Sequence, residues 1–343
     1  MRSALLRWFR RKARSLPWRK NLSPYAIWVS EVMLQQTQVA AVIPYYQRFL
    51  RAFPTARRLA QAPLEQVLEL WSGLGYYRRA RRLHRAAHDV VDRFGGRFPR
   101  DYHQACSLPG VGDYTARAIL SIAYNLPYYV LDGNVARVVS RLRALRGHIH
   151  QSPFRQAVEH ALDALLSHRQ PGNLNQAIME LGQSICSPRA PQCPVCPLRS
   201  WCRAYRLGHQ ESYPAPRPRR AREQRFLAAA VIRHKQKVAM VRGLDEGLLS
   251  DLWNFPAAFG NSRAESLTRL KQKLAARVRG PVCVGRPFAE VKHGITYRSI
   301  RVDVYRVEIL GKVSRNSLRW FPLSTLPRAA ISQLARKIAK QLL

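Results

Sequence analysis

Apolar positions along the chain follow two different periods, and the change between them divides the sequence. Over residues 23–183 they recur at every third or fourth position, interrupted by Gly or Pro, which predicts a succession of helices. Beyond residue 225 the apolar runs are short, as in F-L-A-A-A-V-I and K-V-A-M-V, or alternate, as in R-S-I-R-V-D-V-Y-R-V. Such runs predict strands. The predicted fold class is therefore multidomain, with an all-α domain followed by an α+β domain.

Local signals place several element boundaries. Ser23 followed by Pro24 is typical of a helix start, because the hydroxyl can cap the helix and Pro fits its first turn. The Arg-rich residues 1–12 predict a first helix, and helices are also expected at 263–278 and 332–343. The stretch 203–224 is rich in Pro and Arg and has no apolar period, so it predicts a linker.

The charge balance indicates the kind of partner. Lysine and arginine number 58 against 20 acidic residues, for a formal net charge of +38. So much like charge opposes the compact state, and a polyanion would relieve it. Nucleic acid is the first candidate and an acidic membrane surface the second, and both predict binding that weakens steeply with salt. No apolar run reaches the roughly 18 to 20 residues of a spanning helix, so the chain is not expected to be a membrane protein.

Two acidic residues stand alone among apolar neighbours. Glu31 is the only acid in the first 64 positions, and Asp132 is the only one between Asp113 and Glu159. Apolar surroundings favour the neutral form of a carboxyl, which suits a general acid, whereas a helix N-terminus keeps a carboxylate ionised. Two carboxyls in different environments are the usual equipment for cleaving a bond at an anomeric carbon. The alternatives are that Asp132 is only a helix cap and that Glu31 pairs with a distant arginine.

A short hairpin indicates a phosphate contact. In L-P-G-V-G-D-Y-T-A, Gly110 and Gly112 allow a tight turn whose N–H groups, with the N-terminus of the next helix, can point at one anion. An ordinary helix–helix turn is the alternative, but the strongly basic chain favours contact with DNA. Asp113 or Thr115 is expected to cap the helix that follows.

A cysteine cluster precedes the predicted linker. Four of the six cysteines are spaced C-x6-C-x2-C-x5-C, at Cys186, Cys193, Cys196 and Cys202. Four thiolates at close range indicate tetrahedral zinc or an iron–sulfur cluster, and the spacing alone does not separate the two. Two disulfides in so short a stretch would be strained, which makes that alternative the weaker one.

Several motifs together resemble one family. L-P-W (16–18), W-V-S-E-V-M-L-Q-Q-T-Q-V (28–39), G-L-G-Y-Y-x-R-A-R-x-L (73–83), L-P-G-V-G-x-Y-T-A (108–116), L-D-G-N-V-x-R-V (131–138) and the cysteine spacing are similar to those of MutY-type adenine DNA glycosylases. The resemblance runs from about residue 8 to residue 203 and extends to the endonuclease III superfamily. It implies a helix-hairpin-helix fold and a [4Fe-4S] cluster on the four cysteines.

The resemblance also implies roles for individual residues. Glu31 corresponds to the general acid that protonates adenine, and Asp132 to the carboxylate that stabilises the oxocarbenium-like sugar. Gln36 and Tyr76 correspond to side chains that wedge into the duplex when adenine is extruded, since base flipping needs such fillers. Tyr114 stands where strand-cutting relatives have a lysine nucleophile, so a monofunctional glycosylase is expected.

The arginines that follow Tyr76 form a separate group. At helical spacing Arg78, Arg81, Arg82 and Arg85 share one face, and Arg79 lies apart from them. A solvated charged face is the common explanation for such a run. Beside a predicted wedge, contact with DNA phosphates is the better interpretation.

The second domain resembles the Nudix-like domain of the same family, through S-D-L-W-N-F-P (250–256) and the strand pattern. No G-x5-E-x7-R-E-x2-E-E box is present, so the domain is expected to bind and not to hydrolyse. The loop that reads Phe-Ser-His in the family has Ile295, Thr296 and Tyr297 here, and Thr296 and Tyr297 are predicted to contact DNA. The change from His to Tyr leaves open how strongly 8-oxoguanine is distinguished from guanine.

The predicted organisation is a glycosylase domain at 1–203, a linker at 204–225 and a Nudix-like 8-oxoguanine-recognition domain at 226–343. The predicted activity is hydrolysis of the N-glycosidic bond of adenine opposite 8-oxoguanine or guanine in duplex DNA. The protein is expected to act as an intracellular monomer, in a bacterial-type cytoplasm or nucleoid. The alternatives are another mismatch glycosylase, acting on thymine or uracil, and a non-catalytic iron–sulfur DNA-binding protein.

Overall fold

The computed structural model describes residues 1–215, 221, 223–249, 252–295, 297–310, 312–313, 318–327 and 329–342. The chain divides into two compact units. Met1–Ala62 and Arg79–Pro218 form the first, and Pro63–Arg78 and Arg219–Leu343 form the second. The first unit is helical and the second contains a mixed sheet with helices, which confirms the predicted fold class.

Helices follow one another through the first two hundred residues. Their bounds are α1 (Arg2–Lys12), α2 (Pro17–Lys20), α3 (Pro24–Leu34), α4 (Val39–Ala52), α5 (Ala56–Gln61), α6 (Leu64–Trp71), α7 (Arg78–Phe94), α8 (Tyr102–Cys106), α9 (Asp113–Tyr124), α10 (Gly133–Arg143), α11 (Ser152–Leu165), α12 (Pro171–Ser184) and α13 (Arg203–Arg206). α6 belongs to the second unit. The predicted first helix is confirmed as α1, and Ser23 caps α3 by accepting a 3.2 Å hydrogen bond from the Ala26 amide.

Helix α3 is the centre of the first unit. Every residue from Ala26 to Met33 is buried, and Trp28 is 1% exposed. A helix that is buried all round cannot show the one-sided pattern of a surface helix, which is why its sequence is almost uniformly apolar. α3 packs on α9, and α9 packs on α12. Glu31 is therefore carried by a helix that is enclosed on all sides over most of its length.

Helices α9 and α12 approach each other closely at Gly172. A Cβ atom there would lie 2.4 Å from the Ser121 carbonyl oxygen, so only glycine fits without displacing backbone. One turn further along α12, the buried Asn175 donates 2.8 Å hydrogen bonds to Oγ of Ser121 and to the carbonyl of Tyr128. A buried amide with its donors satisfied fixes the register of the two helices. That register holds α12 beside the helix that carries Tyr114.

The second unit is built on a mixed sheet. Its strands are β1 (Glu223–His234), β2 (Lys237–Arg242), β3 (Trp253–Asn254), β4 (Ala257–Gly260), β6 (Val282–Ile295), β7 (Arg298–Ile309) and β9 (Arg319–Pro322), while β5 (Val278–Arg279) and β8 (Lys312–Val313) pair separately. The strand order is β3-β2-β1-β7-β6, with β4 also on β1 and β9 also on β2. β1 and β7 run parallel, with Ala229 opposite Val304, and the other pairs are antiparallel.

Both faces of this sheet are covered. Leu227, Ala229 and Val231 of β1 face a buried cluster with helix α15 (Gln333–Ala339), and the alternate residues of the same strand face helix α14 (Arg263–Ala275). A strand buried on both faces reads as a continuous apolar run, which explains F-L-A-A-A-V-I. The two helices predicted in this domain are confirmed, with shorter bounds.

The stretch predicted as a linker begins with regular structure. α13 covers its first residues, the Tyr213 carbonyl accepts a 2.9 Å hydrogen bond from Arg141, and the Ala215 amide donates one of the same length to Gly147. Residues 216–220 and 222 fall outside the described part of the chain. The domain boundaries stay a prediction.

Through the part of the chain that the structure describes, every helix is too short or too polar to traverse a lipid bilayer.

Candidate active site

Glu31 is a buried acid whose environment favours its protonated form. Its side chain lies in the middle of α3 and the residue is 7% exposed. Burial raises the pKa of this carboxyl to about 7, a hydrogen bond from the Tyr114 hydroxyl opposes part of the rise, and the nearby charge of Asp132 adds to it. A carboxyl with a pKa near neutrality can both hold and release a proton at physiological pH.

Asp132 occupies the N-cap position of α10. Its Oδ1 accepts a 2.7 Å hydrogen bond from the Val135 amide, and its Oδ2 accepts one of 2.9 Å from Nδ2 of Asn134. The positive end of the helix dipole and these two donors favour a negative charge at this place. Asp132 therefore caps α10, as the alternative interpretation expected. Capping by the backbone uses only Oδ1, and the carboxylate still lies near Glu31.

One cavity of about 830 Å³ brings these acids together. Glu31, Tyr114 and Asp132 all line it, so side chains from α3, α9 and the start of α10 converge on one space. The sequence places them about 80 and 20 positions apart, and only the packing of these helices makes them neighbours. The pair of carboxyls in different environments that the sequence predicts is present.

Tyr114 lies near both acids in this cavity. Its hydroxyl contacts Sδ of Met179 at 3.4 Å and is hydrogen-bonded to the Glu31 carboxyl. Burial, followed by the charges of Glu31 and Asp132, raises the pKa of this phenol well above its ordinary value. The phenol therefore keeps its proton, so it can donate a hydrogen bond but does not supply a nucleophile.

Gln36 and Tyr76 share an uncommon backbone conformation. Their φ values are +56° and +49°, and both side chains are exposed, Tyr76 to 50%. Residues other than glycine rarely adopt the left-handed region, and such positions cluster at functional sites. Gln36 lies two residues after the end of α3, so its position depends on the helix that carries Glu31.

The hairpin at Gly110 and Gly112 differs from its prediction in one respect. Gly110 has φ +81° and requires glycine, while Gly112, with φ −95°, is the N-cap of α9 and offers no side-chain acceptor. The predicted capping by Asp113 or Thr115 is wrong. Asp113 is the first residue of α9 and its Oδ1 accepts hydrogen bonds from Tyr102 and Arg117, while Thr115 accepts one from Gln35.

The four cysteines surround one small cavity after α12. Arg141, only 2% exposed, donates to Sγ of Cys186 at 3.4 Å and to the carbonyls of Ser187 and Pro188, so a buried cation fixes the loop. Burial raises the pKa of Cys196 to about 11, with the other thiols adding to the rise. Among the described residues, no three His, Cys, Asp or Glu side chains are grouped closely enough for a single metal ion.

A chain of hydrogen bonds joins the cysteine loop to Asp132. Arg137 donates to the Cys186 carbonyl at 2.8 Å and to Oδ1 of Asn134 at 2.9 Å, and Asn134 donates to Asp132. Each bond is within the normal range, and the guanidinium is half-buried. The position of the Asp132 carboxylate thus depends on contacts that reach the cysteine loop.

Comparison with known proteins identifies the family. The HhH-GPD superfamily of base excision DNA repair proteins matches residues 29–164, and the NUDIX domain matches residues 228–341. The adenine DNA glycosylase of Homo sapiens is 34% identical over 98% of this chain and 73% of its own length. The adenine DNA glycosylase of Rattus norvegicus is also 34% identical, over 98% of this chain and 77% of its own length. The chain belongs to the adenine DNA glycosylase family.

Solved structures agree on the fold of this adenine DNA glycosylase. A thermostable thymine-DNA glycosylase superposes with a TM-score of 0.54 and 26% identity, over 60% of this chain and 95% of that one. A non-covalent endonuclease III–DNA complex superposes with a TM-score of 0.52 and 25% identity, over 60% of this chain and 94% of that one. The protein is a DNA-binding enzyme that hydrolyses the N-glycosidic bond of adenine, as predicted. The non-catalytic alternative and the thymine or uracil alternative are thereby disfavoured.

Sequence reasoning did not identify a third acid of the glycosylase cavity. Glu180 of α12 has a side chain 1% exposed and accepts from Nε of Arg14 at 2.6 Å and from Nη2 of Arg19 at 2.8 Å. Burial would raise the pKa of Glu180, but the hydrogen bonds from both arginines outweigh it and lower the pKa. Glu180 is the only acid between Asp163 and Glu211, so the isolation that singled out Glu31 also marks this residue.

The loop at 295–297 in the second unit is described only in part. Thr296 falls outside the described residues, as does the side chain of Ile295. Tyr297 is half-buried, its carbonyl accepts a 3.2 Å hydrogen bond from the Glu223 amide, and the Arg298 guanidinium lies 5.8 Å from the centre of its ring. The predicted contacts of Thr296 and Tyr297 with DNA stay predictions.

Proposed function

We propose that this glycosylase removes adenine paired with 8-oxoguanine or guanine in duplex DNA, with Glu31 as general acid and Asp132 as the stabilising carboxylate. The observation that carries the proposal is the convergence of Glu31, Tyr114 and Asp132 on one cavity, with a Glu31 pKa of about 7. The cavity is large enough for a nucleobase and its sugar. A flipped base is the form in which such enzymes reach the bond they cleave.

Glu31 supplies the proton that makes adenine a good leaving group. Near pH 7 about half of the Glu31 side chains carry a proton, because the pKa is about 7. Transfer of that proton to a ring nitrogen lets the base depart as neutral adenine, with the electrons of the C1′–N bond. The Glu31 carboxylate that remains can accept a proton from the water that adds to C1′.

Asp132 stabilises the positive charge that develops on the sugar. Its carboxylate is held by the Val135 amide and Asn134 before the bond breaks, so little reorganisation is needed when charge appears. Water then adds at C1′ and leaves an abasic site. Tyr114 stays protonated and offers no amine for a Schiff base, so the proposed enzyme is monofunctional and does not cut the strand.

The remaining predicted contacts concern DNA. Gln36 and Tyr76 are the proposed wedges, because each is an exposed side chain on a constrained backbone. Gly110 and Gly112 are the proposed phosphate cradle, because the α9 N-terminus lacks a side-chain cap. The second domain, through Thr296 and Tyr297, is proposed to read the base opposite adenine. The protein is proposed to act as a monomer on the DNA of a bacterial-type nucleoid.

The cysteine loop is proposed to hold a [4Fe-4S] cluster. Four thiols face one cavity, and Arg141 provides a buried positive charge beside Cys186 that would offset the negative charge of a thiolate-ligated cluster. The raised pKa of Cys196 means that binding must displace its proton, which a strongly bound cluster can do. The cluster would brace the loop to which Arg137 connects Asp132.

A single-turnover assay tests the proposed function. Duplexes carrying A opposite 8-oxoguanine, A opposite G and T opposite G are each incubated with excess intact protein and with Glu31→Gln. Adenine release from the first two duplexes, its loss in the variant and strand scission only after alkali are expected. Release of thymine, or scission without alkali, would contradict the proposal.

A further inference from the structure

One buried guanidinium closes the C-terminal end of α3. Arg79, in the first turn of α7, donates from Nη1 to the carbonyls of Val32, Met33 and Gln35 at 3.0, 2.7 and 2.5 Å, and from Nη2 to Oγ1 of Thr37 at 3.0 Å. The last carbonyls of a helix lack partners within it, and they form the negative end of its dipole. A buried cation satisfies both requirements at once.

The residue enclosed by these hydrogen bonds is Gln36. Gln35 is held by Arg79 through its carbonyl and by Thr115 through its side chain, at 3.3 Å, and Thr37 is held by Arg79 through its hydroxyl. Gln36 itself has φ +56° and an exposed side chain. A glutamine does not adopt this conformation by preference, so its persistence depends on the anchored residues on both sides.

Burial distinguishes Arg79 from the other arginines of its helix. Arg79 is 8% exposed, whereas Arg82 and Arg85 of α7 are exposed. A guanidinium directed at the end of α3 is not presented to a DNA phosphate. The solvated face and the phosphate contact therefore do not account for Arg79.

We propose that Arg79 is a positioning residue, which holds Gln36 in the left-handed conformation from which its side chain enters the duplex. The inference rests on the proposed function, in which Gln36 fills the space that adenine leaves. A wedge that is already in place loses little conformational freedom on insertion, so extrusion of the base is favoured. Lysine at position 79 keeps the charge but lacks the planar fork that reaches Gln35 and Thr37 together.

A double-mutant cycle tests this role. Extrusion is followed by the fluorescence of 2-aminopurine, placed opposite 8-oxoguanine, which rises when the base unstacks. Arg79→Lys and Gln36→Ala are each expected to lower the extrusion equilibrium constant about tenfold, the scale of one lost stacking or anchoring contact. The double variant is expected to be no weaker than Gln36→Ala, because an anchor for a missing wedge has nothing to hold.

Arg85→Ala is the matched control on the same helix. It removes an exposed arginine, and its effect is expected to add to that of Gln36→Ala. Additive effects of Arg79→Lys and Gln36→Ala would overturn the proposal, because a purely structural arginine weakens the protein whether or not the wedge is present. If Arg79→Lys does not fold, Thr37→Val takes its place, since it removes one acceptor of Arg79 and leaves the guanidinium.

The outcomes separate this inference from the proposed function. An intact protein that excises adenine, together with an additive cycle, contradicts the role of Arg79 alone. If Gln36→Ala unstacks the base to the same extent as the intact protein, the roles of Gln36 as wedge and of Arg79 as its anchor are both contradicted. Thr37→Val is expected to show the same non-additivity as Arg79→Lys with a smaller change, and additivity there counts against the proposal equally.

Discussion

Asn134 and Asp132 form a pair in which the amide fixes the acid. Nδ2 of Asn134 donates a 2.9 Å hydrogen bond to Oδ2 of Asp132, while Oδ1 is occupied by the Val135 amide. One carboxylate oxygen is therefore positioned by the backbone and the other by a side chain. The side chain is in turn held by Arg137, which reaches the cysteine loop.

Asn134→Ser is expected to slow adenine release. A hydrogen bond to a charged group contributes about 1.5 to 3 kcal/mol, so its loss corresponds to about a tenfold to hundredfold lower single-turnover rate. Asn173→Ser, at an exposed position of α12, is the control and should leave the rate unchanged. An unaltered rate in Asn134→Ser would mean that the Val135 amide alone is sufficient to hold Asp132.

The rate of adenine release should depend on pH through Glu31. The pKa of Glu31 is about 7, so the protonated fraction that can act as acid is nearly complete at pH 5.5 and falls about tenfold per unit above pH 7. The single-turnover rate, measured at saturating protein from pH 5.5 to 9, should follow this fraction. A rate that is flat between pH 6 and 8.5 would exclude Glu31 as the proton donor.

Glu31 should also lower the stability of the protein at high pH. Its folded pKa of about 7 exceeds the ordinary value of 4.5, so between these limits the folded state keeps a proton that the unfolded chain has released. Each unit of rising pH in that window lowers the free energy of unfolding by about 1.4 kcal/mol. The free energy of unfolding of Glu31→Gln, relative to that of the intact protein, should therefore be higher at pH 8 than at pH 4 by on the order of 3 kcal/mol.

Urea unfolding at pH 4 and pH 8 measures this difference. Asp92→Asn alters an exposed acid of α7 and is the matched control. Its free energy of unfolding, relative to that of the intact protein, should differ little between the two pH values. An equal effect of Glu31→Gln at both values would mean that the carboxyl is not held protonated by burial.

Glu180→Gln should destabilise the protein far more than an exposed exchange of the same kind. Arg14 and Arg19 would lose hydrogen bonds to a carboxylate that is 1% exposed, and a hydrogen bond to a charged group contributes about 1.5 to 3 kcal/mol. Glu159→Gln is the control, because its pair with Arg155 is largely solvated and should contribute less than about 1 kcal/mol. Equal free energies of unfolding for the two variants would contradict a stabilising role for the Glu180 cluster.

Substitution of the cysteines proposed to hold the cluster is expected to lower the iron content of the protein. Cys196→Ser or Cys202→Ser is expected to lower the iron and sulfide content per chain and the visible absorbance of the cluster, whereas Cys106→Ser, outside the loop, is expected to retain all three. Metal analysis that finds zinc and no sulfide in the intact protein would replace the cluster with the zinc alternative.

The isolation of Glu31 and Asp132 is visible in the sequence because a strongly basic chain contains few acids to confuse with them. The same signal marks Glu180, yet its partners lie 161 and 166 positions earlier, and no local pattern connects them. The role of Arg79 is harder to predict, because other arginines surround it in the sequence. Its burial follows from the packing of α7 against the end of α3, and this packing is a feature of the tertiary structure that no local sequence pattern shows.

Helix and strand types are predictable here because their periods differ clearly, whereas a cap depends on the residue at which a helix begins. Asp113 is a residue type that often caps helices, but Gly112 is the N-cap of α9 and Asp113 is already its first residue. The Oδ1 atom of Asp113 accepts hydrogen bonds from Tyr102 and from Arg117, which lies four residues further along the same helix. The predicted cap fails because the helix begins one residue earlier than a cap at Asp113 would need, and the sequence does not fix a helix boundary to one residue.

The position of α1 has a consequence for the synthesis of the protein on the ribosome. Leu5 and Phe9 belong to one buried cluster with Leu174 and Ile178 of α12, and Arg14 is bound by Glu180 of the same helix. Helix α1 thus finds its partner only after about 160 further residues have been made. Because chains emerge at about 5–20 residues per second, Leu5 and Phe9 of the nascent protein wait many seconds without the residues of α12 that bury them. A chaperone that shields α1 during that interval would cover Leu5 and Phe9 until α12 is available to bury them.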